Sequence, residues 1–473
     1  MRNLRANKRC RLIGERDGRV PTLVAQYAQL RGLEVQHCPV SESSPASGRF
    51  GSDPLIATSF AALNLMTPRE RESLRASVSV GATLYIRGGA ESGVRYQLAP
   101  LLDSSFTTGR ITKVAAYRFT PHAMIPAVLR GEETPLRGAL NCACDLSGSA
   151  EPLLLARDEN GVEFPVAFAY RIVRGVVICD VQPDDETADS PLIWRLADPV
   201  QRCVNAGALI AADAAAGRDL SKPAPFNLTI DDIPLGYDYL NESMLEEFFS
   251  YIEKRCEHLH LDCAWIPTSH WIGRRYVEIL KGHGAGFLWH GMHRHVDHQK
   301  IEDPEAEMEA GKRAMAENVR RYGIELQPMM IFPYERAHRS AEELLLKEGF
   351  LAAAEQPRHD EGAAEMPEYL RYSDASCFHD SGLRFLHRYE AAFLTRDRMI
   401  AIAALGMPIL AFAHPKDVRL RRLSRFVERG GTFSHFDEVL DFAAAKGLPG
   451  RSLEAIAREL SEKKTESMQL ECA

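Results

Sequence analysis

Nowhere in its 473 residues does the sequence hold an apolar run of about 18 residues, the least that crosses a bilayer as a helix. No integral membrane segment is therefore expected. Excess positive charge is also lacking. The formal net charge is −8, which gives no electrostatic footprint for nucleic acid. The basic start MRNLRANKRCRLIGERDGR is followed by no apolar stretch of the kind a secretory signal needs, so a cytoplasmic location is expected. Closely spaced cysteines are scarce. Of ten, only Cys142 and Cys144 in NCACD are near neighbours, which is not the four-ligand spacing of a structural zinc site, and reduced thiols are expected. What is present, 45% hydrophobic and 26% charged residues, is the composition of a globular protein. The length exceeds that at which one core usually stops growing, so two or three domains are expected. Oligomeric state leaves no signal.

An α/β fold class follows from the order of elements. CRLIGERDGRVPTLVAQYAQLRGLEVQHCPV reads as a strand, a loop, a helix with Leu23, Val24, Tyr27 and Leu30 on its apolar face, a stop at Gly32 and a second strand. DPLIATSFAALNLMTPRERESLRASVSVGATLYIRGG repeats the pattern, with Thr67 as N-cap before Pro68. This alternation predicts a doubly wound, flavodoxin-like domain over residues 1–105. Short strands such as ITKVAAYRF, EPLLLARD, FPVAFAYRIV and GVVICDV predict a β-rich extension over 106–221, ending in a helix from about 198 to 216 and a polar linker. From 222 to 450, FNLTIDD, LDCAWIPTSH, GAGFLWHG and IELQPMMIFPYE alternate with helical stretches, as in a parallel sheet or (β/α) barrel. GRSLEAIARELSEKKTESMQLECA predicts a last helix over about 451–463 within a terminal segment 451–473.

Reactive side chains in such sheets and barrels lie at the strand C-terminal ends. Asp231 and Asp232 stand just behind the run FNLTI, where one carboxylate can bind a metal while the other faces a water; adjacent turn or capping acids are the alternative. GFLWHGMHRHVDHQ then sets His290, His293, His295 and His298 within nine residues at a predicted strand end. That crowding suits a divalent metal, because neutral imidazole is the commonest nitrogen ligand; a surface histidine loop is the alternative. MMIFPYE brings Tyr334, and MPILAFAHPKD delivers His414 to the same predicted edge. Together these point to a metal hydrolase with a separate acid and base.

The order TIDD, HGMHRH, FPYE and AHP resembles the polysaccharide deacetylases of carbohydrate esterase family four, the NodB-homology domains. The resemblance implies a distorted (β/α) barrel binding one divalent metal, zinc first, with cobalt, nickel or manganese as substitutes. It implies that Asp231 is the general base, Asp232 a metal ligand, His290 the first metal histidine and His414 the general acid, while Tyr334 offers its backbone N–H to the oxyanion. The second metal histidine should follow the first by four residues, where this chain has Arg294. His295, reached through a one-residue bulge, is preferred over His293, and a pairing of His293 with Asp297 stays open. The family's arginine before Pro-Tyr is missing, leaving Arg336 or Arg339 to orient the base, and Glu355 stands where a partner for His414 would be sought. The first half resembles the glutamine-amidotransferase-like domains found beside sugar-active domains, through LMTPRERESLRASVSVGATLYIRGG and FAYRIVRGVVICDV. No cysteine nucleophile follows LYIRGG, so that activity is expected to be absent, and Cys10, Cys38 and Cys179 read as buried small hydrophobes.

The expected function is metal-dependent hydrolysis of an N-acetyl amide on a sugar or saccharide precursor, a non-peptide C–N bond. A catalytically silent saccharide-binding or scaffolding protein and a hydrolase of another C–N bond are the alternatives. Tyr237, Tyr239, Trp265, Trp271 and Trp289 are candidates to stack on sugar rings, or else ordinary core residues.

Overall fold

A computed structural model describes residues 8–14, 22–39, 53–88, 93–99, 101–182, 190–233, 235, 240–269, 271–335, 337–356, 376–378, 381–415, 433 and 436–472. They fall into two compact units, one up to Lys222 and one from Pro223 onward. Among the described residues no helix is long and apolar enough to cross a membrane.

The first unit runs β1 (Arg9–Gly14), α1 (Thr22–Leu30), β2 (Glu34–Pro39), β3 (Leu55–Ser59), α2 (Phe60–Leu65), α3 (Pro68–Ser79), β4 (Thr83–Arg87), β5 (Arg95–Gln97), β6 (Ser105–Phe119), β7 (Glu133–Cys144), β8 (Glu151–Asp158), β9 (Glu163–Ile172), β10 (Gly175–Asp180), α4 (Leu192–Ala197) and α5 (Pro199–Ala216). Its strands form one mixed sheet in the order β2-β1-β3-β4-β10-β9-β8-β6-β5, with β7 on β6. The first five neighbours are parallel and the rest antiparallel. β3 and β4 are covered on both faces: LIATS is apolar or small throughout, and in TLYIR the buried Arg87 is paired with Asp180 at 3.0 Å. Thr67 caps α3 in a reciprocal capping box with Glu70, and Gly217 ends α5 in the left-handed conformation that favours glycine. Cys10 and Cys179 are fully buried, whereas Cys38 is only half-buried, so the expectation of a buried thiol fails there.

The second unit runs β11 (Phe226–Ile233), α6 (Glu242–Arg255), β12 (Leu261–Trp265), α7 (Arg274–Gly282), β13 (Gly286–His290), α8 (Pro304–Tyr322), β14 (Leu326–Ile331), α9 (Arg339–Lys347), β15 (Ala352–Glu355), β16 (Ser376–Phe378), β17 (Arg384–His387), β18 (Tyr389–Glu390), α10 (Arg396–Ala404), β19 (Ile409–Ala413), α11 (Asp437–Ala445) and α12 (Leu453–Cys472). Eight strands are parallel in the order β17-β15-β14-β13-β12-β11-β19-β18, and β16 lies antiparallel on β17. The two ends of this parallel order, β17 and β18, are consecutive in the chain and separated only by Arg388. A sheet whose opposite edges are joined by one residue must curl back on itself, giving a nearly closed barrel with Arg388 at its seam.

The N-terminal end of this barrel is filled by the chain's own last helix. Leu453, Ile456 and Ala457 pack with Ala264, Leu288, Met329, Ala352, Leu386 and Leu410. The fully buried Asp262 on β12 accepts hydrogen bonds from the Leu453 N–H (2.8 Å), Asn227 (2.8 Å) and Gln327 (2.7 Å). Its carboxylate thus caps α12, where a negative charge is favourable. The helix extends to Cys472, beyond the 451–463 read from the sequence.

Candidate active site

In a regular strand, Asp231 and Asp232 would face opposite sides of the sheet. The sequence places them just behind the strand, whereas they lie inside β11 at an irregularity. Ile230 pairs with Cys263 and Ile233 with Trp265, so three steps on β11 match two on β12. The extra residue is a β-bulge, and Asp232 takes a left-handed φ of 55° within it. The two acids then meet different partners.

Asp232 is approached by two imidazoles. His290 ends β13, and its Nε2 lies 2.8 Å from Asp232 Oδ1; His295 Nε2 lies 2.7 Å from the same oxygen. The three candidate ligand atoms all fall within 4.8 Å of one another. Burial alone would raise the Asp232 carboxyl, yet the hydrogen bonds and charges of His290 and His295 hold it well below the usual carboxylate range.

The loop carrying His295 is shaped by residues that touch none of these atoms. Gly291 turns the chain at a φ of 76°. His298 is fully buried, accepting from the Met292 N–H at Nε2 (2.9 Å) and donating from Nδ1 to the Val296 carbonyl (2.7 Å), and burial pushes it down to about 4. Glu307 on α8 receives the Arg294 N–H at 3.0 Å and its guanidinium at 2.8–3.0 Å. Gly311 lets α8 approach so closely that a Cβ there would stand 1.6 Å from the Met292 carbonyl oxygen. The loop consequently turns His293 toward Glu307, at 3.9 Å, and uses Asp297 to accept the Gln299 N–H, while His295 is the one that reaches Asp232.

A metal fits this donor set on chemical grounds. His290 Nδ1 sits 3.0 Å from the Ile331 carbonyl, which can only accept, so Nδ1 carries the proton and a neutral ring presents a lone pair at Nε2. That lone pair and a carboxylate oxygen 2.8 Å apart need a positive charge, supplied by a cation or by protonating the ring. One carboxylate and two imidazoles with accessible positions suit zinc or a similar divalent ion.

Asp231, 1% exposed, is gripped by Arg388, whose two terminal nitrogens lie 2.7 Å from Oδ1 and Oδ2. The sequence offers Arg336 or Arg339 for this role. Arg336 lies outside the described residues, and Arg339 is exposed and pairs with Glu343 at 2.8 Å. Arg388 reaches inward from the barrel seam, its guanidinium 4.2 Å above the Phe412 ring and 2.5 Å from Glu335 Oε1. Burial opposes its charge, but Asp231 and Glu335 hold it protonated more firmly than a free arginine. Burial also raises the Glu335 carboxyl, against the pull of Arg388.

Tyr334 and Glu335 are consecutive left-handed residues, at φ 60° and 57°, directly behind β14. The Tyr334 ring is 61% exposed, with its centroid 5.6 Å from that of His295. Both rings line an open depression of about 790 Å³ with Arg294, Asp297, Lys300 and Ile301. His414 follows β19 directly, and Ala413 pairs with Ile230, so His414 and Asp231 leave neighbouring strands at the same edge. Glu355 ends β15, where its carbonyl accepts the Arg388 N–H at 2.8 Å. Of the aromatic candidates, Trp265 and Trp289 are buried in the barrel and Trp271 is half-exposed; Tyr237 and Tyr239 lie outside the described residues.

No family model matches the sequence, and no curated protein matches it. Solved structures do. Agd3, described as a novel carbohydrate deacetylase, superposes with a TM-score of 0.63 over 95% of this chain and 87% of its own at 9% identity. A family 4 carbohydrate esterase from Streptomyces lividans in complex with acetate covers 49% of this chain and 93% of its own, with a TM-score of 0.31 and 12% identity. These structural neighbours act on carbohydrates. At such identities the likeness to Agd3 is one of fold, and it extends across both units of the chain.

Arg388, Glu335, Glu307 and His298 were not singled out for these roles from the sequence. Arg388 follows the strand run RFLH and gives no sign of pointing inward. Glu335 was visible only as the neighbour of Tyr334, and His298 only as one member of a crowded histidine stretch.

Proposed function

We propose that this protein is a metal-dependent hydrolase that removes the acetyl group from an N-acetylated sugar in a saccharide. The observation that carries the reading is the convergence of Asp232, His290 and His295 beside a second, separately anchored carboxylate, Asp231. An Asp-His-His set alone would suit many metal sites. A neighbouring base fixed by arginine is what hydrolysis adds.

Asp232, His290 and His295 would hold the metal, zinc first, with cobalt, nickel or manganese as substitutes. When bound, it supplies Lewis-acid chemistry that brings the pKa of water down to about 7 and polarises a carbonyl. Asp231 accepts the water's proton as the acetyl carbonyl is attacked, its carboxylate held in one orientation by the bidentate Arg388. The Tyr334 N–H donates to the oxygen that gains charge. His414 gives a proton to the departing nitrogen, because an amide anion is a very poor leaving group. The parallel strands beginning the first unit support reading it as a doubly wound, flavodoxin-like domain of the amidotransferase-like kind, without the nucleophile.

The test is metal content by elemental analysis alongside acetate release from N-acetylated oligosaccharides. Asp231→Asn should keep about one metal per chain and lose turnover, whereas Asp232→Ala should lose the metal. Equal metal loss in both variants would refute the division of labour, and a wild type holding no metal after reconstitution would favour saccharide binding without catalysis.

A further inference from the structure

The mechanism above leaves unused a carboxylate that adjoins it and is only 13% exposed. Glu335 sits next to Tyr334, and each of its oxygens is committed to a different part of the barrel. Oε1 is 2.5 Å from the Arg388 guanidinium at the seam, and Oε2 accepts the Gln356 N–H at 3.0 Å, just beyond β15. Its own N–H closes the turn onto the Phe332 carbonyl at 3.0 Å. Arg388 in turn grips Asp231 on β11. A continuous chain of charge-assisted hydrogen bonds therefore runs from the turn behind β14, through the seam, to the bulged strand β11.

The backbone of that turn is expensive. Two successive non-glycine residues at φ near 60° are strained, and such conformations persist only where the surroundings over-determine them. Glycine at both positions would make the same turn without strain. The contacts of the Glu335 carboxylate are among those that oppose the strain, so the strained turn and the anchor of Asp231 share one side chain.

We propose that Glu335 is a positioning residue that fixes the spacing between the Tyr334 N–H and the Asp231 carboxylate, through Arg388. The proposal rests on the deacetylase reading given above. Arg388 is shared between the two carboxylates, so a change at Glu335 reaches Asp231 without contact between them. Placement errors of about 1 Å at such groups lower turnover by about 100-fold while leaving the ground-state complex largely intact.

The experiment compares Glu335→Ala with the isosteric Glu335→Gln in metal-loaded protein, reading kcat, KM, metal stoichiometry and thermal midpoint together. Glu335→Ala should lower kcat by about 100-fold with KM within about twofold and the metal retained. Glu335→Gln keeps an acceptor for the guanidinium and the shape of the turn, and should restore kcat to within about tenfold of wild type. Added to Arg388→Ala, the Glu335→Ala change should lower kcat little further, as groups acting in one chain are not additive. Unchanged kcat in both variants, with the wild type active, overturns the role of Glu335 and leaves the deacetylase reading standing. Metal loss or unfolding in Glu335→Ala together with wild-type kinetics in Glu335→Gln marks a purely structural residue and also overturns it. A metal-loaded wild type that releases acetate from no N-acetylated saccharide overturns both readings at once.

Discussion

His298 should make the barrel acid-sensitive by an amount that can be worked out in advance. The side chain is fully buried and must stay neutral, because its Nε2 accepts the Met292 N–H while its Nδ1 donates to the Val296 carbonyl. Burial holds it at about 4 in the folded protein against 6.5 when free. Between these values the unfolded chain binds the additional proton, so stability is fully present above about 6.5 and is lost as pH falls toward 4. The difference of about 2.5 units corresponds to roughly 3 kcal/mol in total, of which about 2 kcal/mol is lost between pH 7.5 and pH 5. The assay is urea unfolding of chelator-treated protein followed by tryptophan fluorescence, since Trp265 and Trp289 lie buried on β12 and β13. Wild type and His298→Gln are compared at both pH values. Whatever hydrogen bonding the variant loses is lost at either pH, and protonation of the other histidines cancels in the comparison. The stability gap between the two proteins should shrink by about 2 kcal/mol at the lower pH. A gap that stays constant would show that His298 is not held neutral by its burial.

Two further outcomes follow from close packing. Gly311→Ala places a methyl group 1.6 Å from the Met292 carbonyl oxygen, so α8 or the histidine loop must shift; a stability loss of about 1–3 kcal/mol with weaker metal binding is expected, read by unfolding and by metal titration. Leu453→Ala opens a cavity among the side chains at the N-terminal end of the barrel and should cost about 2–5 kcal/mol in the fluorescence-detected transition, with the metal site unaltered at saturating metal.

The alternation of strands and helices after residue 222 was legible because parallel strands covered on both faces read as short apolar runs between amphipathic segments. Thr67 could be read as a helix start because capping is local chemistry, and it acts as one in the structure. The long-range partners could not be read. Arg388 lies 157 positions from Asp231, and only closure of the barrel brings them together. A sequence shows neighbours along the chain and not across a sheet, so the arginines it offers are Arg336 and Arg339, close to Pro333. The histidine loop was harder still. Spacing alone left His293, His295 and Asp297 open, and what directs the loop is Glu307 and Gly311 on a helix beginning after it.

Strain and anchoring coincide at this edge of the barrel. Among the described residues, five non-glycine positions have positive φ, and three of them are Asp232, Tyr334 and Glu335. A bulge without a partner for each acid would relax toward regular pairing, returning Asp231 and Asp232 to opposite faces. Here Arg388 grips the first acid, while His290 and His295 converge on the second. Each hold makes the other easier to keep. Arg388 can reach Asp231 only because it occupies the single residue between β17 and β18, where the chain passes from one edge of the sheet to the other. The incomplete closure of the barrel is therefore part of how the site is built. A ninth parallel strand in that gap would push β17 and β18 apart, and the one-residue link that carries Arg388 could no longer join them.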